Sequence, residues 1–251
     1  MSIIIALVLG LIQGLTEFLP VSSSGHLILA QKLFGIEPDL FTNVALHCGT
    51  LFAVIIFYKK EVWQLIKHPF SKKGVLVILA TLPTVALALA AKFFAEDWLN
   101  GMLLPIGFAL TLVLLLWSDM IGKQRYNLLT TKKRTAVIAG VVQGISVLPG
   151  LSRSGSTVCA MKMLGVKNSA AVEMSFLMSI PVIIGSIIFM SFDVVATSAQ
   201  VDWLAVTVGM AVSGVVGYFS LKFLKAVAEK GNLSKFAYYM IFPFLLSCVL
   251  M

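Results

Sequence analysis

The stretch GLIQGLTEFLPVSSSG at residues 10–25 decides the architecture of this chain, because a related stretch, GVVQGISVLPGLSRSG, occupies residues 140–155. The two copies are offset by 130 residues (140 − 10). The pairs that are identical at this offset are Gly10/Gly140, Gln13/Gln143, Gly14/Gly144, Ser22/Ser152, Ser24/Ser154 and Gly25/Gly155. The chain therefore contains an internal repeat.

The two copies differ at the positions with the strongest chemistry. Only the first copy has the carboxylate of Glu17, which Val147 replaces in the second, and only the first is followed by a histidine, His26. Only the second copy has Arg153, which stands where the first has Ser23. Two related scaffolds that hold complementary groups indicate a divided active site.

The composition indicates a membrane protein. The 251 residues are 59% hydrophobic and 12% charged, with a mean hydropathy of +0.99. A soluble domain has about a quarter charged residues, and long apolar runs between short charged loops are typical of a polytopic helical membrane protein. The net charge of +8 arises from Lys and Arg in three loops, so it requires no nucleic-acid partner.

Six apolar segments are each near the roughly 20 residues that a helix needs to span a bilayer. They are residues 41–58, 74–91, 101–119, 172–191, 203–221 and 236–251. The sequence therefore predicts an all-α polytopic fold.

The loops between the six segments alternate in charge. The basic loops contain Lys59, Lys60, Lys67, Lys72 and Lys73, then Lys123, Arg125, Lys132, Lys133 and Arg134, then Lys222, Lys225, Lys230 and Lys235. The other loops contain Glu96 with Asp97, and Asp193 with Asp202. The positive-inside rule places the basic loops in the cytoplasm and the others outside, so the C-terminus is expected outside, and so is the N-terminus if residues 1–36 enter and leave by the same face.

The repeated stretches do not fit as simple spans. Pro20 with SSSG interrupts residues 1–36, and Pro149-Gly150 with SRSG interrupts residues 135–166. We therefore predict two re-entrant hairpins, the first entering from outside and the second from the cytoplasm. Each half, 1–121 and 132–251, then has one hairpin and three spans.

Because three is odd, the halves have opposite orientations, which is an inverted-topology repeat within one membrane domain. Broken backbone at membrane depth must be buried in protein or line a wet cavity, so the hairpins should meet near the midplane. The alternative is that residues 1–19 form a simple span and Pro20 stops it.

The SSSGH and SRSGST segments indicate anion binding. Gly25 and Gly155 permit sharp turns, the serines cap the helices that follow, and backbone N–H groups at a helix N-terminus bind phosphate. The guanidinium of Arg153 forks onto phosphate oxygens. The alternative is that the Ser and Gly residues serve only capping or close helix packing.

Gln13 and Glu17 lie at i and i+4, so their oxygens share one helical face. Such oxygens suit Mg²⁺ or Ca²⁺, and a metal together with Arg153 neutralises charge in phosphoryl transfer. The alternative is that Glu17 only pairs with Arg153 to hold the structure. His26 is a candidate proton donor or acceptor, whereas His47 is interpreted as a core residue.

QGLTEFLPVSSSGH (13–26) and PGLSRSGST (149–157) resemble the two signature motifs of the bacterial undecaprenyl-diphosphate phosphatase (bacitracin-resistance) family. The resemblance continues through ALHCGTLFAV (45–54) and AAVEMSFLMSIPVIIGS (170–186). It implies a membrane enzyme that removes the terminal phosphate of undecaprenyl diphosphate and so recycles the carrier lipid for peptidoglycan synthesis. It also implies an outward-facing site that depends on a divalent metal.

The resemblance assigns roles by motif position. Ser23 is the candidate nucleophile, His26 the candidate acid/base and Arg153 the phosphate clamp. Gln13 and Glu17 form the metal-binding pair, although many members have Glu where this chain has Gln13. The candidate substrate-binding residues are Ser22, Ser24, Gly25, Ser152, Ser154, Gly155 and Thr157.

Two other functions are compatible with such a chain. Inverted repeats with broken helices are typical of secondary transporters, so the runner-up is a carrier or flippase for lipid-linked or other phosphate-containing anions. A purely structural membrane protein would not explain two charges at membrane depth. Gly209, Gly214 and Gly217 predict close helix packing, either within a subunit or between the subunits of a homodimer.

Overall fold

The computed structural model describes residues 2–36, 40–94, 101–118, 120, 124–196, 202–231 and 233–251. Three charged residues used in the loop assignment, Glu96, Asp97 and Lys123, lie outside these ranges. Eleven α-helices make up most of the described part. They are α1 (Ile3–Phe18), α2 (Ser23–Phe34), α3 (Leu40–Phe57), α4 (Lys59–Lys67), α5 (Lys72–Phe94), α6 (Leu104–Ser118), α7 (Lys133–Ile145), α8 (Arg153–Met163), α9 (Asn168–Ala196), α10 (Trp203–Glu229) and α11 (Lys235–Leu250).

The six predicted spans correspond to α3, α5, α6, α9, α10 and α11. In the described part, the stretches Lys72–Phe94, Asn168–Ile188 and Trp203–Glu229 are long and apolar enough to cross a membrane. The helix α3 meets the criterion only together with α4, and α6 and α11 have 15 and 16 residues. The described chain is thus all-helical with three or four candidate spans, consistent with a polytopic membrane protein.

The basic segment after α3 differs from the prediction. Residues 59–67 form α4 instead of a loop, and its axis bends 86° away from that of α3. Lys, Glu, Gln and Leu are good helix formers, and the N–H of His68 closes the last turn on the carbonyl of Gln64. The basic cluster before the second hairpin likewise enters a helix, because α7 begins at Lys133.

Both predicted helix breaks are present. The first lies between α1 and α2, where Leu19 is extended and Pro20 follows it. The second lies between α7 and α8 and contains Pro149-Gly150, with Gly150 at φ +86°. Each second helix begins with a serine cap: Ser22 Oγ accepts from the N–H of Gly25 (3.4 Å), and Ser152 Oγ accepts from that of Gly155 (3.1 Å).

Each hairpin packs against a helix of the other half of the chain, α1 against α10 and α7 against α5. Equivalent glycines permit both contacts. A Cβ added to Gly10 would lie 2.6 Å from the carbonyl oxygen of Gly209, and one added to Gly140 would lie 2.1 Å from that of Ala80. The repeated glycines are therefore packing positions, at which a larger residue would push the helices apart.

The three glycines of α10 pack within the chain. An added Cβ on Gly209 would lie 3.2 Å from the carbonyl oxygen of Ala6, and one on Gly217 would lie 2.8 Å from the ring of Phe18. The Cβ of a substituted Gly214 would lie 3.0 Å from the carbonyl oxygen of Gly49. Of the two expected uses of these glycines, the structure shows packing within a subunit.

Candidate active site

The tips of the two hairpins touch. Glu17 lies in the last turn of α1, Arg153 is the first residue of α8, and the two side chains form an ion pair. Ser154 Oγ donates to the carbonyl oxygen of Leu19 (3.1 Å), and an added Cβ on Gly155 would lie 3.1 Å from Pro20. The contact between the tips that the sequence predicts is present.

Three donors surround the Glu17 carboxylate, whose side chain is 4% exposed. Oε1 accepts from Arg153 Nη2, and Oε2 accepts from Ser23 Oγ (2.5 Å) and Gln13 Nε2 (3.1 Å). Gln13 Nε2 also lies 3.0 Å from His47 Nδ1. A buried carboxylate is stable only when such donors replace its water shell, so this geometry preserves an anion at membrane depth.

The Arg153 guanidinium has donor capacity left over. Its Nη1 is buried and makes no hydrogen bond to any described residue. A buried guanidinium N–H without a partner is costly, and an anionic oxygen would satisfy it. The arginine is therefore placed to hold Glu17 with one nitrogen and an incoming anion with the other.

A cavity of about 1210 Å³ lies against the hairpin tips. Glu17, Ser23 and Arg153 line it, and α3, α5 and α9 form further walls. The apolar lining residues are Leu27, Ile28, Ile36, Val44, Val85, Ala88, Leu89, Val147, Pro149, Leu151, Val182, Ile183 and Ile187. Lys32 near the end of α2 and Lys92 near the end of α5 also line the cavity. A polar end with apolar walls and two lysines suits an anionic, amphiphilic ligand larger than most small molecules.

The predicted substrate-binding residues divide into two groups. Ser22, Ser24 and Ser152 line the cavity together with Ser23. The remaining ones, Gly25, Ser154, Gly155 and Thr157, are not among the lining residues of this cavity in the described structure. Thr157 Oγ1 donates to the carbonyl oxygen of Arg153 (2.8 Å) and lies 2.6 Å from Ser175 Oγ, so it supports the start of α8.

His26 is directed toward α11 and away from the carboxylate. Its Nδ1 lies 2.7 Å from the carbonyl oxygen of Ser22, and its Nε2 lies 2.8 Å from the hydroxyl of Tyr239. The His26 and Tyr239 rings stack with centroids 5.7 Å apart, and Phe108 approaches edge-on at 5.6 Å. The structure therefore does not bring His26 together with Glu17, Ser23 and Arg153.

His47 is a cavity residue that the sequence reasoning missed. Its side chain is 31% exposed and lines the cavity, and Nδ1 lies 3.8 Å from Glu17 Oε2. The interpretation of His47 as a core residue is wrong, because α3 turns this face toward the hairpin tip. Asn43, four residues earlier on the same face, also lines the cavity, so the i, i+4 polar pair was the available signal.

The donor set is compatible with a hard divalent cation shared with a ligand. Among the described residues no group of three or more His, Cys, Asp or Glu side chains comes together. However, the Glu17 carboxylate lines the cavity, and the buried Oε1 of Gln13 behind it makes no hydrogen bond to a described residue. Mg²⁺ typically binds through one or two carboxylates while ligand phosphates and water complete its shell.

Together these features define a polytopic membrane protein with a cavity at the contact between two hairpins, polar at the hairpin tips and apolar along its walls. The chain belongs to the bacitracin resistance protein BacA family, whose model matches residues 6–245. The match thus covers the helices that correspond to the six predicted spans except the end of α11, and both hairpins except the first residues of α1.

Three relatives are similar over nearly the whole chain, and each is named an undecaprenyl-diphosphatase. The protein of Carboxydothermus hydrogenoformans is 38% identical over 239 residues, covering 93% of this chain and 92% of its own. That of Halothermothrix orenii is 38% identical over 246 residues, covering 95% and 94%. That of Desulfosudis oleivorans is 39% identical over 258 residues, covering 92% of each.

Proposed function

We propose that this chain is an integral membrane phosphatase that hydrolyses undecaprenyl diphosphate to undecaprenyl phosphate and inorganic phosphate, recycling the carrier lipid for cell-wall synthesis. Membership of the BacA family and three relatives named undecaprenyl-diphosphatase support this substrate. The observation that carries the chemistry is the Glu17–Arg153 pair with Ser23 on its carboxylate. The family does not favour the carrier alternative.

The cavity suits this substrate in both polarity and size. The diphosphate is placed at the polar end, where Arg153 Nη1 makes no hydrogen bond to a described residue and where α2 and α8 begin. The polyprenyl tail follows the apolar walls contributed by α5 and α9. Lys32 and Lys92 supply positive charge that attracts a polyanionic head group.

In the proposed mechanism, Arg153 binds the diphosphate through Nη1 while Nη2 stays on Oε1 of Glu17. Oε2 of the Glu17 carboxylate accepts the proton of Ser23 Oγ, which already donates to it at 2.5 Å. Ser23 Oγ then bonds to the terminal phosphorus while the bond to the bridging oxygen breaks, and undecaprenyl phosphate leaves. Water hydrolyses the phosphoserine, which returns the hydroxyl and releases inorganic phosphate.

The competing route is direct attack by a water that Ser23 and Glu17 orient. Rapid-quench experiments with substrate labelled in the terminal phosphate separate the two routes. A burst of acid-stable label on the wild-type protein, absent from Ser23→Ala, supports the covalent route. Activity in Ser23→Ala without any burst in the wild type establishes the water route instead.

We also propose that Gln13 and His47 position the carboxylate. Gln13 Nε2 lies within hydrogen-bond distance of both Glu17 Oε2 and His47 Nδ1, so it fixes one oxygen toward Ser23. His26 is proposed as an acid/base group that reaches the substrate only after it leaves Tyr239. Its role is tested by the pH profile of kcat in His26→Gln.

A divalent cation, Mg²⁺ or Ca²⁺, is proposed as the cofactor. Glu17 would hold it, with the Oε1 of Gln13 as a buried oxygen that makes no hydrogen bond to a described residue. When bound, the cation neutralises diphosphate charge and raises the leaving ability of undecaprenyl phosphate. EDTA should abolish activity, and titration with each cation should then restore it. The apparent affinity of the wild-type protein for the cation should be lower than that of Gln13→Glu, which adds a carboxylate.

We further propose the inverted-topology repeat, with two re-entrant hairpins and six spans. The helix contacts support it because they are reciprocal: α1 packs on α10 as α7 packs on α5, and α2 contacts α11 as α8 contacts α6. Both hairpins also end in a left-handed glycine, Gly35 at φ +62° and Gly165 at φ +83°, again 130 residues apart. The helices α1 and α7 are about 24 and 20 Å long, short of the roughly 30 Å hydrocarbon core.

The cavity is proposed to open to the outer face of the inner membrane. It is lined by Lys32, Ile36 and Lys92, which lie toward the helix ends opposite the basic segments. The positive-inside rule puts those basic segments in the cytoplasm. In a cysteine-free background, a membrane-impermeant maleimide added to intact cells should label Lys92→Cys and not Lys60→Cys, and the reverse pattern would overturn this orientation.

The decisive assay is phosphate release from undecaprenyl diphosphate by purified protein in detergent, with and without a divalent cation. Glu17→Ala and Arg153→Ala are compared with Ser186→Ala, which removes a cavity hydroxyl that belongs to neither hairpin. We expect cation-dependent release that both hairpin variants lose and Ser186→Ala keeps. No release from folded, monodisperse wild-type protein would overturn the enzyme assignment.

A further inference from the structure

The helix α4 is an element that the phosphatase site does not use. It begins at Lys59, directly after Tyr58, and its axis lies 86° from that of the apolar helix α3. None of its nine residues is buried. If α3 crosses a bilayer, a helix at nearly a right angle to it runs along the membrane surface.

The apolar side chains around α4 face two ways. Val62 and Leu65 pack against the protein core. Trp63, Ile66 and the nearby Phe70 are 58%, 66% and 86% exposed. A large exposed apolar surface on a helix that lies in the membrane plane is typical of burial among lipid head groups and the first acyl carbons.

The charges on the same segment are almost all positive. Lys59, Lys60, Lys67 and Lys72 are exposed, with Glu61 as the acidic residue in α4. Lys67 Nζ lies 5.0 Å from the centre of the Trp63 ring, so the cation and the exposed aromatic ring are neighbours on the same surface of α4. Lysines at the rim of an apolar face complement anionic head groups.

The second half of the chain has less room for such an element. There α9 extends to Ala196 and α10 begins at Trp203, so residues 197–202 alone separate them, whereas residues 58–71 separate α3 from α5. The segment is therefore an addition to the first half. Its function is not part of what the two halves share.

We propose that α4, with Phe70, is an interfacial anchor that binds the anionic lipids of the leaflet on the lysine-rich side of the protein. Trp63, Ile66 and Phe70 enter the head-group region, and Lys59, Lys60 and Lys67 contact lipid phosphates. The positive charge and the continuity with a spanning helix identify a lipid surface as the occupant. By the positive-inside rule this is the cytoplasmic leaflet.

Tryptophan quenching by brominated lipids tests the proposal directly. The chain has four tryptophans, Trp63, Trp98, Trp117 and Trp203. A variant that keeps only Trp63, with Phe at the other three, is reconstituted into zwitterionic vesicles with about 30 mol% brominated phosphatidylglycerol or brominated phosphatidylcholine. A variant that keeps only Trp203 is the matched control, because Trp203 is also exposed but follows the acidic Asp202.

We expect brominated phosphatidylglycerol to quench Trp63 about twofold more than brominated phosphatidylcholine, and to quench Trp203 equally with both lipids. The triple variant Lys59→Gln/Lys60→Gln/Lys67→Gln should abolish the difference in quenching at Trp63. About 0.5 M NaCl should abolish it as well, and that measurement does not depend on whether the triple variant folds. Equal quenching of Trp63 by the two lipids would overturn the anionic preference. Absence of quenching by either lipid would overturn the anchor and leave the surface to a soluble partner.

Discussion

The two hairpins share one scaffold but hold different reactive groups. In each, a serine caps the second helix and accepts from the N–H of a glycine three residues on, Ser22 from Gly25 and Ser152 from Gly155. These four residues belong to the identical positions of the repeat. The repeated residues therefore build the turn and the helix start, whichever half of the chain they occur in.

The non-identical positions hold the reactive groups. Ser23 is the first residue of α2 in the first hairpin, and Arg153 is the first residue of α8 in the second. The paired glutamines diverge in the same way: Gln13 donates to Glu17, whereas Gln143 donates to Thr84 Oγ1 (3.2 Å). The difference teaches that residues shared by the halves build the scaffold around the site, and that the charged and attacking groups are peculiar to one half.

The surroundings of the hairpins are also unequal. Lys32 lines the cavity, whereas Lys162, its counterpart at the same offset of 130 residues, is 1% exposed. On the other side of Glu17, the rings of Phe18 and Phe176 pack with centroids 5.5 Å apart, and Tyr58 stacks on Phe176 at 6.4 Å. The site is thus open along α2 and filled with aromatic rings toward the end of α3.

The largest expected effect is at Ser23, the position that Arg153 occupies in the second hairpin. Ser23→Ala should lower kcat for phosphate release by about 10⁴-fold or more, because it removes the attacking oxygen. Ser186→Ala, which also removes a cavity hydroxyl, should stay within about threefold of wild type, as surface hydroxyls contribute little. A Ser23→Ala protein with more than a tenth of wild-type kcat would contradict the assignment of the attacking oxygen to Ser23.

The second effect separates charge from geometry in the Glu17–Arg153 pair. Glu17→Gln removes the proton acceptor and should lower kcat by about 10²–10⁴-fold. Arg153→Lys keeps the charge but loses the forked donor, and we expect about a 10²-fold loss. Steady-state kinetics of the single variants and the double variant measure the coupling.

Because the two groups act on one substrate, the double variant should lose much less than the product of the single losses. Each variant is checked by gel filtration and thermal unfolding, since an unpaired buried charge also destabilises a protein by about 3–5 kcal/mol. Strictly multiplicative losses in folded proteins would mean that the two residues act independently of each other in the reaction.

The third effect concerns the backbone of the two turns. Ser22 holds φ +70°, whereas the second hairpin uses Gly150 at φ +86° two residues before Ser152. Gly150→Ala should cost about 2 kcal/mol or more, because its Cβ would be strained and would lie 2.5 Å from the carbonyl oxygen of Leu104. Ser22→Gly should change stability by less than about 1 kcal/mol, since the relieved strain offsets the lost cap.

Chemical denaturation in detergent or bicelles measures both free energies of unfolding. Equal destabilisation by Gly150→Ala and Ser22→Gly would contradict the view that only the second turn depends on a glycine. A strongly stabilised Ser22→Gly protein with lower kcat would show instead that strain beside Ser23 serves the reaction.

The sequence predicted the features that depend on local pattern. The offset repeat with Pro20 and Pro149-Gly150 predicted the two helix breaks, and the apolar runs predicted the six helices that follow them. The same pattern predicted that the hairpin tips, which hold Glu17 and Arg153, would meet, because broken backbone at membrane depth must be buried in protein or line a wet cavity. Those inferences required only periodicity and the cost of burial.

Features that depend on the direction of a helix face were not predictable. Lys59–Lys67 has the charge of a loop but the residues of a helix, and the packing of Val62 and Leu65 on the core accounts for its bend away from α3. The places of His47 and His26 were missed for a related reason. Which face of α3 meets α1, and whether His26 turns to Tyr239, are set by contacts 34 and 213 residues apart in sequence, which no local period reports.

The smallest expected effect distinguishes the first hairpin, where Lys32 lines the cavity, from the second, where Lys162 is buried. Lys32→Gln removes a cation that lines the cavity, and it should raise KM about two- to fivefold with kcat unchanged, the equivalent of about 0.5–1 kcal/mol for an exposed charge. Its effect should shrink at high salt, because mobile ions screen charges at the cavity. Lys162→Gln, at the equivalent position of α8, should lower the unfolding temperature and leave KM unchanged, because Lys162 is buried. A rise in KM for Lys162→Gln, or none for Lys32→Gln, would mean that the diphosphate approaches from the side of the second hairpin.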